Sequence, residues 1–586
     1  MGRLSKWLML LLPALLAWAV YAPAAGYGFV NYDDNRYFTE NPHVLGGLTW
    51  ENVRWAFGIH GPSMWIPLTW LSHQAMVSVF GTDAGPQHVL NLLLHAANAV
   101  LLGNWLRRST GRAGLSLGVA LVFAAHPLHA ESVAWITERK DVLAVLFCLL
   151  ALHFHERRTR GGGFASYAGM LVCHALAVMA KPLAVTLPCA MLLWEIWPLS
   201  GRILLRSAAE KLPLLALSAV ASWLTVLCQQ SIGAIGSGAE YPVGGRMANA
   251  LVAYVTYLRR LFVPDDLAVY YPYPDRIPAA EWMGALILLG AVAFAAWRLR
   301  KEVPAVLVGW LWFLGTLVPM IGFVQAGGAA MADRYAYFPF IGLYIAVAWF
   351  LDAVAKRHPE LGPAIAGTAG AGVIAFAVAG RKQVGVWENS ITLMRHAVEV
   401  TERNHLAHNN LGLALEETGN REAARHHYVT ALAARPDYSE ALNNLGVLEA
   451  RESRIVPALD HLEAAVRSEP SHAVAWHNLG KVRLQGGNVD GAREAFRTSI
   501  RLAPEFPPPR YDLALLEIGL GRMEEARKLL EELVRLAPAY ADAWTNLGFV
   551  EDKLGDEEKA RRAYRRASEL GSPTAARNLE ILDHGE

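Results

Sequence analysis

Long apolar runs alternate with short basic clusters along the first two thirds of the chain. A transmembrane helix needs about 20 apolar residues. Eleven runs approach that length, beginning near Trp7, His88, Gly114, Val142, Phe164, Leu183, Leu212, Trp282, Val303, Tyr335 and Leu361. Basic residues favour the cytoplasmic side of a membrane, and placing every basic cluster there makes the spans alternate consistently. The pattern predicts a polytopic helical membrane domain over residues 1–380.

One apolar segment does not fit this alternation. Residues 248–263 are apolar but contain Arg259 and Arg260. Counting the segment as a span would move the basic cluster at 298–301 to the outer side. We therefore predict an interfacial or re-entrant helix on the outer face.

The alternation also assigns the loops to sides of the membrane. It puts the loops around 26–87, 129–141, 229–280 and 325–334 outside, together with everything after Gly380. The short loops and the regular repeats described next favour a bacterial inner membrane. The C-terminal region is then predicted on the non-cytoplasmic side.

The last third of the chain repeats every 34 residues, a period typical of tetratricopeptide repeats. Prolines end successive units and small residues recur at one position, namely Pro436, Pro470, Pro504 and Pro538, and Gly412, Gly446, Gly480, Ala514 and Gly548. Five repeats fit residues 405–574, preceded by a linker with a degenerate half-repeat at 381–404 and followed by a tail at 575–586. The sequence thus predicts an all-α protein with a helical solenoid whose concave face binds a polypeptide.

Composition agrees with a membrane protein and excludes one class of partner. Hydrophobic residues make up 54% of the chain and charged residues 18%. The 53 basic and 52 acidic residues nearly cancel, so no basic field indicates nucleic-acid binding. The four cysteines all lie in apolar runs without a C-x-x-C pair, which predicts buried free thiols.

The first outer loop carries two adjacent carboxylates, Asp33 and Asp34. A carboxylate at the membrane surface can accept the proton of an attacking hydroxyl or hold a divalent cation against a phosphate. A solvated turn explains the same residues, since Asn and Asp favour turns.

The second outer loop combines imidazole, carboxylate and cationic groups. His126, His129 and Glu131 are candidate metal ligands, or else belong to an interfacial polar loop. Arg139 and its neighbour Lys140 suit a phosphate, although Glu138 and Asp141 are close enough in sequence to neutralise them.

Two further cations stand at the ends of predicted spans. Lys181 follows one span and precedes another, where it either binds an anion or extends to the interface. Arg334 begins a later span, and it either binds an anionic head group or pairs with Asp333.

These motifs together resemble the transmembrane and tetratricopeptide repeat-containing O-mannosyltransferases, and more broadly the GT-C class of polyprenyl-phosphate-sugar-dependent transferases. The matching stretches run in order along most of the chain: Tyr32-Asp33-Asp34, His126-Pro127-Leu128-His129-Ala130-Glu131, Arg139 with Asp141, Ala180-Lys181, and Asp333-Arg334 with Tyr337 and Pro339. The chain departs from the family pattern at Glu138 and Lys140, and it has Asp333 where the family has Glu.

The resemblance implies a GT-C-like membrane domain and an inverting transfer of a mannose-like hexose. The donor would be a polyprenyl-phosphate sugar, and the acceptor a protein Ser or Thr hydroxyl. The implied roles are base or metal ligand for Asp33 first and Asp34 second, and donor-phosphate binding for Arg139, Lys181 and Arg334. The resemblance also implies that a further set of residues supports the site, contacts the acceptor or binds a metal ion: His126, His129, Glu131, Asp141 and Tyr337. No cofactor is certain, and the acidic pair suits Mg²⁺ or Mn²⁺ as well as it suits a base.

Two other functions fit parts of the pattern. The chain resembles a non-catalytic membrane anchor whose repeats assemble a cell-envelope or secretion complex, in which case Asp33 and Arg139 would be dispensable. A lipid-linked-sugar flippase would need polar residues at mid-span. Few are present, the best being Glu195, His95 and Asn98, and each also suits an interfacial position or a helix–helix hydrogen bond.

Overall fold

The computed structural model describes residues 3–59, 64–231, 242–323 and 327–584. Within these ranges the chain forms helices and no β-strand, which confirms the predicted all-α fold. It divides into two compact units, Met1–Asn410 and Leu411–Glu586. The predicted linker at 381–404 falls inside the first unit, and the four proposed segment boundaries stay predictions.

The first unit contains the apolar helices and the helices of the outer loops. They are α1 Arg3–Tyr21, α2 Pro42–Leu45, α3 Trp50–Ala56, α4 Pro67–Phe80, α5 Ala84–Thr110, α6 Ala113–Ala125, α7 Ala130–Ala134, α8 Arg139–Thr159, α9 Phe164–Ala180, α10 Leu187–Trp194, α11 Leu205–Glu210, α12 Leu212–Ser231, α13 Val243–Arg260, α14 Ala279–Arg298, α15 Pro304–Leu317, α16 Phe340–Arg357, α17 Gly362–Gly385 and α18 Ser390–Val400.

The repeats form the remaining helices, of which α19 crosses the division between the units. They are α19 His405–Glu417, α20 Arg421–Ala434, α21 Ser439–Arg451, α22 Ile455–Ser468, α23 Ala473–Gln485, α24 Val489–Leu502, α25 Pro508–Gly519, α26 Met523–Leu536, α27 Ala541–Lys553, α28 Glu557–Glu569 and α29 Pro573–His584.

A helix lies at each of the eleven predicted spans. Six described segments are long and apolar enough to cross a membrane, namely Leu8–Gly26, Ala84–Thr110, Pro182–Leu199, Leu205–Gln230, Ala279–Lys301 and Pro359–Gly385. A seventh is obtained if α6 and Pro127–Ala134 form one span across their 55° bend. A multi-pass membrane protein fits these helices, whereas the count of eleven stays a prediction. The helix α13 is not among the six described segments.

The first outer loop is itself folded around an aromatic core. Tyr37, Phe38 and Trp70 are buried there together with Val44 and Ile66. The Tyr37 and Trp70 rings stack with their centroids 4.9 Å apart. Burying these large rings fixes the loop, so the acidic pair at its start has a defined position.

A close helix crossing in the first unit depends on two glycines. A Cβ on Gly309 of α15 would collide with the Gly342 carbonyl of α16, and a Cβ on Gly342 would lie 2.8 Å from the Trp312 side chain. Small residues at such crossings let transmembrane backbones approach closely. The pair therefore fixes the start of α16, directly after Arg334.

In the second unit, the recurring small residue makes room for the larger side chain of the next helix. A Cβ on Gly480 would lie 2.6 Å from the Phe496 ring, and one on Gly548 equally close to the Tyr564 ring. The fourth repeat has Ala514, which packs in a cluster with Leu530 in place of an aromatic ring. Gly446 likewise faces a leucine, Leu462, so the size of the facing side chain does not by itself account for the alanine.

The four cysteines are free, as predicted, but one is not buried. Cys148, Cys173 and Cys228 are buried, whereas Cys189 is exposed. The buried side of α10 follows Leu187, Met191 and Trp194, and helical geometry turns Cys189 away from that side.

Candidate functional site

Asp34 is buried and joins the first outer loop to the second. One carboxylate oxygen accepts a hydrogen bond from the Val30 amide at 2.9 Å. The other accepts from the Thr137 amide at 3.2 Å and the Thr137 hydroxyl at 2.6 Å. Burial raises the pKa of the Asp34 carboxyl to about 6, against the lowering effect of these hydrogen bonds. Asp34 thus links the first outer loop to the second by hydrogen bonds.

Asp33 is next to Asp34 in the chain but is only half-buried. Within the part of the chain that the structure describes, no hydrogen bond or ion pair occupies its carboxylate. Its charge acts on Lys140 and on the Tyr32 hydroxyl, so it stands at the edge of the cationic cluster described next. Of the two acids, Asp33 is the one that a substrate can reach.

Three cations converge on Glu138, at the end of the second outer loop. Lys140 Nζ lies 3.0 Å from Oε1 of Glu138, Lys181 Nζ lies 2.9 Å from Oε2, and Arg334 Nε lies 3.3 Å from Oε1. Burial alone would raise the pKa of Glu138, but the three cations lower it well below its ordinary value. Glu138 is therefore ionised and holds the three cations together; we call these four residues the Glu138 cluster.

Lys181 is held at a break between two helices. The α9 helix ends at Ala180, and Pro182 cannot continue it. The extended backbone at Lys181 places its side chain 2.7 Å from Asp141 Oδ1 as well as beside Glu138. Asp141 also accepts a hydrogen bond from the Ser132 hydroxyl at 3.0 Å. Lys181 is thus paired rather than extended to the interface.

Arg334 is the most accessible cation of the Glu138 cluster. Its side chain is 16% exposed, whereas those of Lys140 and Lys181 are 5% and 4% exposed. Its amide donates to Glu131 Oε2 at 2.7 Å, and its guanidinium pairs with Oε1 and lies 5.5 Å from the Trp135 ring centre. Arg334 can therefore meet a ligand at the surface of the cluster.

Asp333 does not neutralise Arg334. Its Oδ1 instead lies 2.8 Å from Arg260 Nη1, and it accepts a hydrogen bond from the Tyr271 hydroxyl at 2.9 Å. Arg260 comes from α13, the helix that the sequence indicates to be interfacial. Because Asp333 is paired with Arg260, Arg334 instead pairs with the carboxylates of Glu131 and Glu138.

Arg139 lies apart from the Glu138 cluster and is completely buried. Its guanidinium donates to Asn91 Oδ1 at 2.9 Å and to the Gln87 carbonyl at 2.8 Å, both on α5. Adjacent helical residues point about 100° apart, so when Lys140 faces the cluster, Arg139 faces α5. Lys140 is therefore better placed than Arg139 to bind a phosphate.

The two histidines of the second loop point into the helical core. His126 Nε2 lies 3.2 Å from the Leu261 carbonyl, and His129 Nε2 lies 3.1 Å from the Tyr344 hydroxyl. Glu131 is engaged by Arg334. Within the described ranges no group of three His, Cys, Asp or Glu side chains is arranged to hold a metal ion.

Tyr337 belongs to the same core. Its hydroxyl lies 2.8 Å from His95 Nδ1 and accepts from Asn98 Nδ2 at 3.2 Å. His95 and Asn98 thus join helices by hydrogen bonds, which is the second of the two explanations given for them above. Glu195 likewise pairs with Lys211 and His155, at 2.9 Å each.

Sequence reasoning missed Thr137, Trp135 and the Arg260–Asp333 pair. It named Lys140 beside Arg139 as a phosphate candidate but carried the donor-phosphate role to Arg139. Trp135 is central, because its ring stacks on Trp387 with centroids 5.5 Å apart and lies next to Tyr32. The signal for Lys140 was its place in sequence between the carboxylates Glu138 and Asp141. The contacts of Trp135 span hundreds of residues and left no local signal.

Comparisons with known proteins agree with this architecture. Models of the tetratricopeptide repeat match residues 390–456, 457–505, 483–545 and 541–570. The first match begins at α18, where the sequence predicts a degenerate half-repeat. The chain is 25% identical over 476 residues to human protein O-mannosyl-transferase TMTC1, covering 70% of this chain and 53% of that protein.

The chain is similar to other proteins named O-mannosyl-transferases over shorter stretches. Tmtc2 of Drosophila melanogaster matches at 31% identity over 30% of this chain and 20% of its own length, and tmtc2 of Xenopus laevis at 32% over 28% and 20%. The chain spans about half the length of the human relative.

Two solved structures resemble part of the chain. "Functional Characterization of Pseudomonas Aeruginosa pilF" describes a chain that is 20% identical, with 39% of this chain and 99% of that chain covered at a TM-score of 0.30. The structure of MamA is 22% identical over 27% of this chain and 94% of its own, at a TM-score of 0.26.

Proposed function

We propose that this protein is a membrane glycosyltransferase that moves a mannose-like hexose from a polyprenyl-phosphate donor to a Ser or Thr hydroxyl of a polypeptide. The observation that carries the proposal is the accessible Asp33 carboxylate at the edge of a cluster of three cations. Relationship to proteins named O-mannosyl-transferases supports both the sugar and the acceptor class.

The donor phosphate would bind at Arg334, with Lys140 and Lys181 behind it. A phosphate brings negative charge to a place where the three cations already meet carboxylates. It can share these cations with Glu131 and Glu138, so that no buried charge is left unpaired. Preorganised cations of this kind stabilise the charge that develops on a leaving phosphate.

Asp33 would accept the proton of the acceptor hydroxyl. The hydroxyl oxygen then attacks the anomeric carbon from the face opposite the phosphate, the bond from carbon to phosphate oxygen breaks, and the configuration inverts. A positioned carboxylate typically contributes a factor of about 10²–10⁴ to such a step. This is the inverting, GT-C-type mechanism that the sequence motifs imply.

A divalent cation such as Mg²⁺ or Mn²⁺ is compatible with the acidic residues but not required by them. Asp33 is the described carboxylate available to hold one against a phosphate, and Asp34 is occupied by its hydrogen bonds. Bound there, the ion would add positive charge at the leaving phosphate. Lys140, Lys181 and Arg334 supply such charge without it.

We further propose that the repeats bind the polypeptide acceptor or a partner protein and stand on the non-cytoplasmic side of a bacterial inner membrane. The basic clusters between the apolar helices support this orientation. Basic loops favour the cytoplasm, and the alternation of spans then puts the repeats on the other side of the membrane.

The deciding experiment compares sugar transfer by wild type, Asp33→Asn and Asp83→Asn in membranes supplied with a polyprenyl-phosphate mannose. We expect Asp33→Asn to lower kcat by about 10²–10⁴ while leaving donor binding nearly unchanged. Asp83 is an exposed carboxylate of the same loop, so its variant is a matched control expected to act as wild type.

Arg334→Lys tests the phosphate role separately. Lysine keeps the charge but loses the planar fork that meets phosphate oxygens, so we expect a raised KM for the donor. If wild type transfers no sugar from several donors, or if Asp33→Asn equals Asp83→Asn, the catalytic proposal fails. The membrane-anchored scaffold would then be the better account.

A further inference from the structure

Two apolar clefts border α13 in the first unit, and the proposed transfer uses neither of them. The smaller cleft, of about 260 Å³, lies between α13 and α14. The larger cleft, of about 460 Å³, is also bordered by α15 and α16. Val255, Arg259 and Leu288 line both clefts. The two clefts therefore meet at one place, where a single ligand can enter both.

Arg259 is the charged residue at this meeting point, and it does not belong to the Glu138 cluster. Its neighbour Arg260 lies 2.8 Å from Asp333, whereas Arg259 lies 2.7 Å from Asp265 and is 49% exposed. Adjacent helical residues point about 100° apart. The clefts therefore open on a different side of α13 from the proposed site for the donor phosphate.

The rim of the smaller cleft carries a second charged group, the carboxylate of Glu281. Glu281 lies in the first turn of α14, while Arg259 lies in the last turn of α13. Among the described residues, nothing pairs with the Glu281 carboxylate. Gly284 leaves room beside it, because a Cβ there would have nothing within 4 Å. The rim thus combines one cation with an unpaired carboxylate.

The larger cleft follows the apolar part of α14. Its lining extends along that helix from Leu288 to Ala296, which is eight residues or about 12 Å. One leaflet of the hydrocarbon core of a bilayer is about 15 Å thick. Apart from Arg259, the residues that line this cleft are all apolar or aromatic. The cleft therefore has the length and the lining of a site for one acyl chain.

The surroundings of the clefts favour a lipid as the occupant. Of the 20 residues of α14, Ala285, Leu289 and Ala296 are buried. Ile287 and Phe294 on the same helix are 71% and 63% exposed. In a helix that is apolar and long enough to span a membrane, such side chains contact lipid. A cleft beside this helix is therefore open to lipid rather than to water.

Two clefts and two opposite charges favour a lipid with two chains and a zwitterionic head group. A polyprenyl phosphate has one chain, and its phosphate would meet Glu281 without a compensating cation. Phosphatidylethanolamine has two acyl chains, a phosphate for Arg259 and an ammonium group for Glu281. Hydrogen bonds between ionised groups are strong, and the trimethylated nitrogen of phosphatidylcholine has no N–H to donate.

We propose that the clefts around Arg259 bind one molecule of phosphatidylethanolamine, with its phosphate at Arg259, its ammonium group at Glu281 and one acyl chain in each cleft. The lipid fills the space between α14 and the neighbouring helices and so joins this span to α13, α15 and α16. The site is independent of the proposed transfer, since neither a sugar donor nor an acceptor enters it.

The first test measures lipid binding to delipidated full-length protein in detergent by native mass spectrometry. We expect the apparent Kd for phosphatidylethanolamine to be at least about tenfold lower than for phosphatidylcholine. Glu281→Gln should remove most of this preference, because a neutral amide does not attract the ammonium group as a carboxylate does. Arg259→Gln should weaken the binding of both lipids at least about tenfold. Arg276→Gln, at an exposed position of the loop between α13 and α14, should bind as wild type.

The second test fills the smaller cleft with protein. Gly284→Phe introduces a ring where an acyl chain would lie, and the Cβ position has nothing within 4 Å, so the variant should fold. We expect it to bind phosphatidylethanolamine at least about tenfold more weakly. Gly290→Phe is the matched control, because its Cβ position on the same helix is equally open and it lines neither cleft.

Three results would overturn the proposal. The first is equal affinity of the wild type for phosphatidylethanolamine and phosphatidylcholine, and the second is equal binding by Gly284→Phe and Gly290→Phe. The third is displacement of bound phosphatidylethanolamine by an equimolar amount of polyprenyl phosphate, which would assign the clefts to the donor. All three are measured without sugar transfer, so this proposal and the transferase proposal can fail separately.

Discussion

At the scale of single residues, two neighbouring aspartates have different environments. Asp34 is 1% exposed and makes hydrogen bonds with Val30 and Thr137, whereas Asp33 is half-buried and open. Burial explains the difference, because a charge withdrawn from water must be hydrogen-bonded. Asp33 is therefore the carboxylate to which we assign the proposed catalytic role, and Asp34 joins two loops by hydrogen bonds.

The raised pKa of Asp34 makes stability depend on pH. Its value of about 6 in the folded protein exceeds the ordinary 3.8, so the folded state holds this proton more tightly than the unfolded state. The stabilisation is complete below pH 3.8 and is lost as the pH rises through about 6. The difference amounts to about 3 kcal/mol at most.

Asp34→Asn removes this titration. We expect the apparent melting temperature in detergent to fall between pH 4 and pH 7 by several degrees more in wild type than in Asp34→Asn. Asp83→Asn, which changes an exposed carboxylate, should keep the wild-type profile. Parallel profiles for wild type and Asp34→Asn would show that Asp34 is not the group responsible.

At the scale of helices, close crossings are fixed by glycines rather than by the apolar runs themselves. Gly309 and Gly342 face each other across α15 and α16, and neither leaves room for a methyl group. Because α16 begins just after the Arg334 motif, this crossing places the most accessible cation of the Glu138 cluster.

Gly309→Ala should therefore disturb α15 and α16. Overpacking of this kind typically costs about 1–3 kcal/mol, so we expect a lower apparent melting temperature and weaker sugar transfer. Gly315→Ala lies on the same helix with nothing within 4 Å of its Cβ position, so it is a matched control. A harmless Gly309→Ala would mean that the two helices separate without cost.

At the scale of the whole molecule, the chain combines an apolar helical unit with a solenoid of repeats. The basic clusters predict on which side of the membrane each outer loop lies. The Glu138 cluster gathers residues from loops that the alternation puts on one side: Glu138, Lys181 and Arg334.

A reporter fused after Glu586 tests this arrangement. Alkaline phosphatase, which needs a non-cytoplasmic compartment to form its disulfides, should be active there, and the same enzyme fused after Arg300 should be inactive. The reverse pattern would reject the predicted orientation, and equal activity at both sites would reject the three spans predicted between them and with them the eleven-span count.

The sequence alone determined the elements of this protein. The 34-residue period places every repeat helix, because each unit must bury the same positions against the next. Apolar length predicts helices at each proposed span, since a backbone in lipid must satisfy its own hydrogen bonds. Family motifs point to the loops around Asp33, Lys181 and Arg334 without showing how these meet.

Only the tertiary structure decided which of these residues act together. Arg139 and Lys140 are adjacent in sequence, yet one faces α5 and the other Glu138, because helix rotation separates neighbouring side chains. Asp333 pairs with Arg260 from a distant helix and leaves Arg334 to Glu131. Such choices depend on contacts between residues up to about two hundred positions apart, and no local pattern in the sequence encodes them.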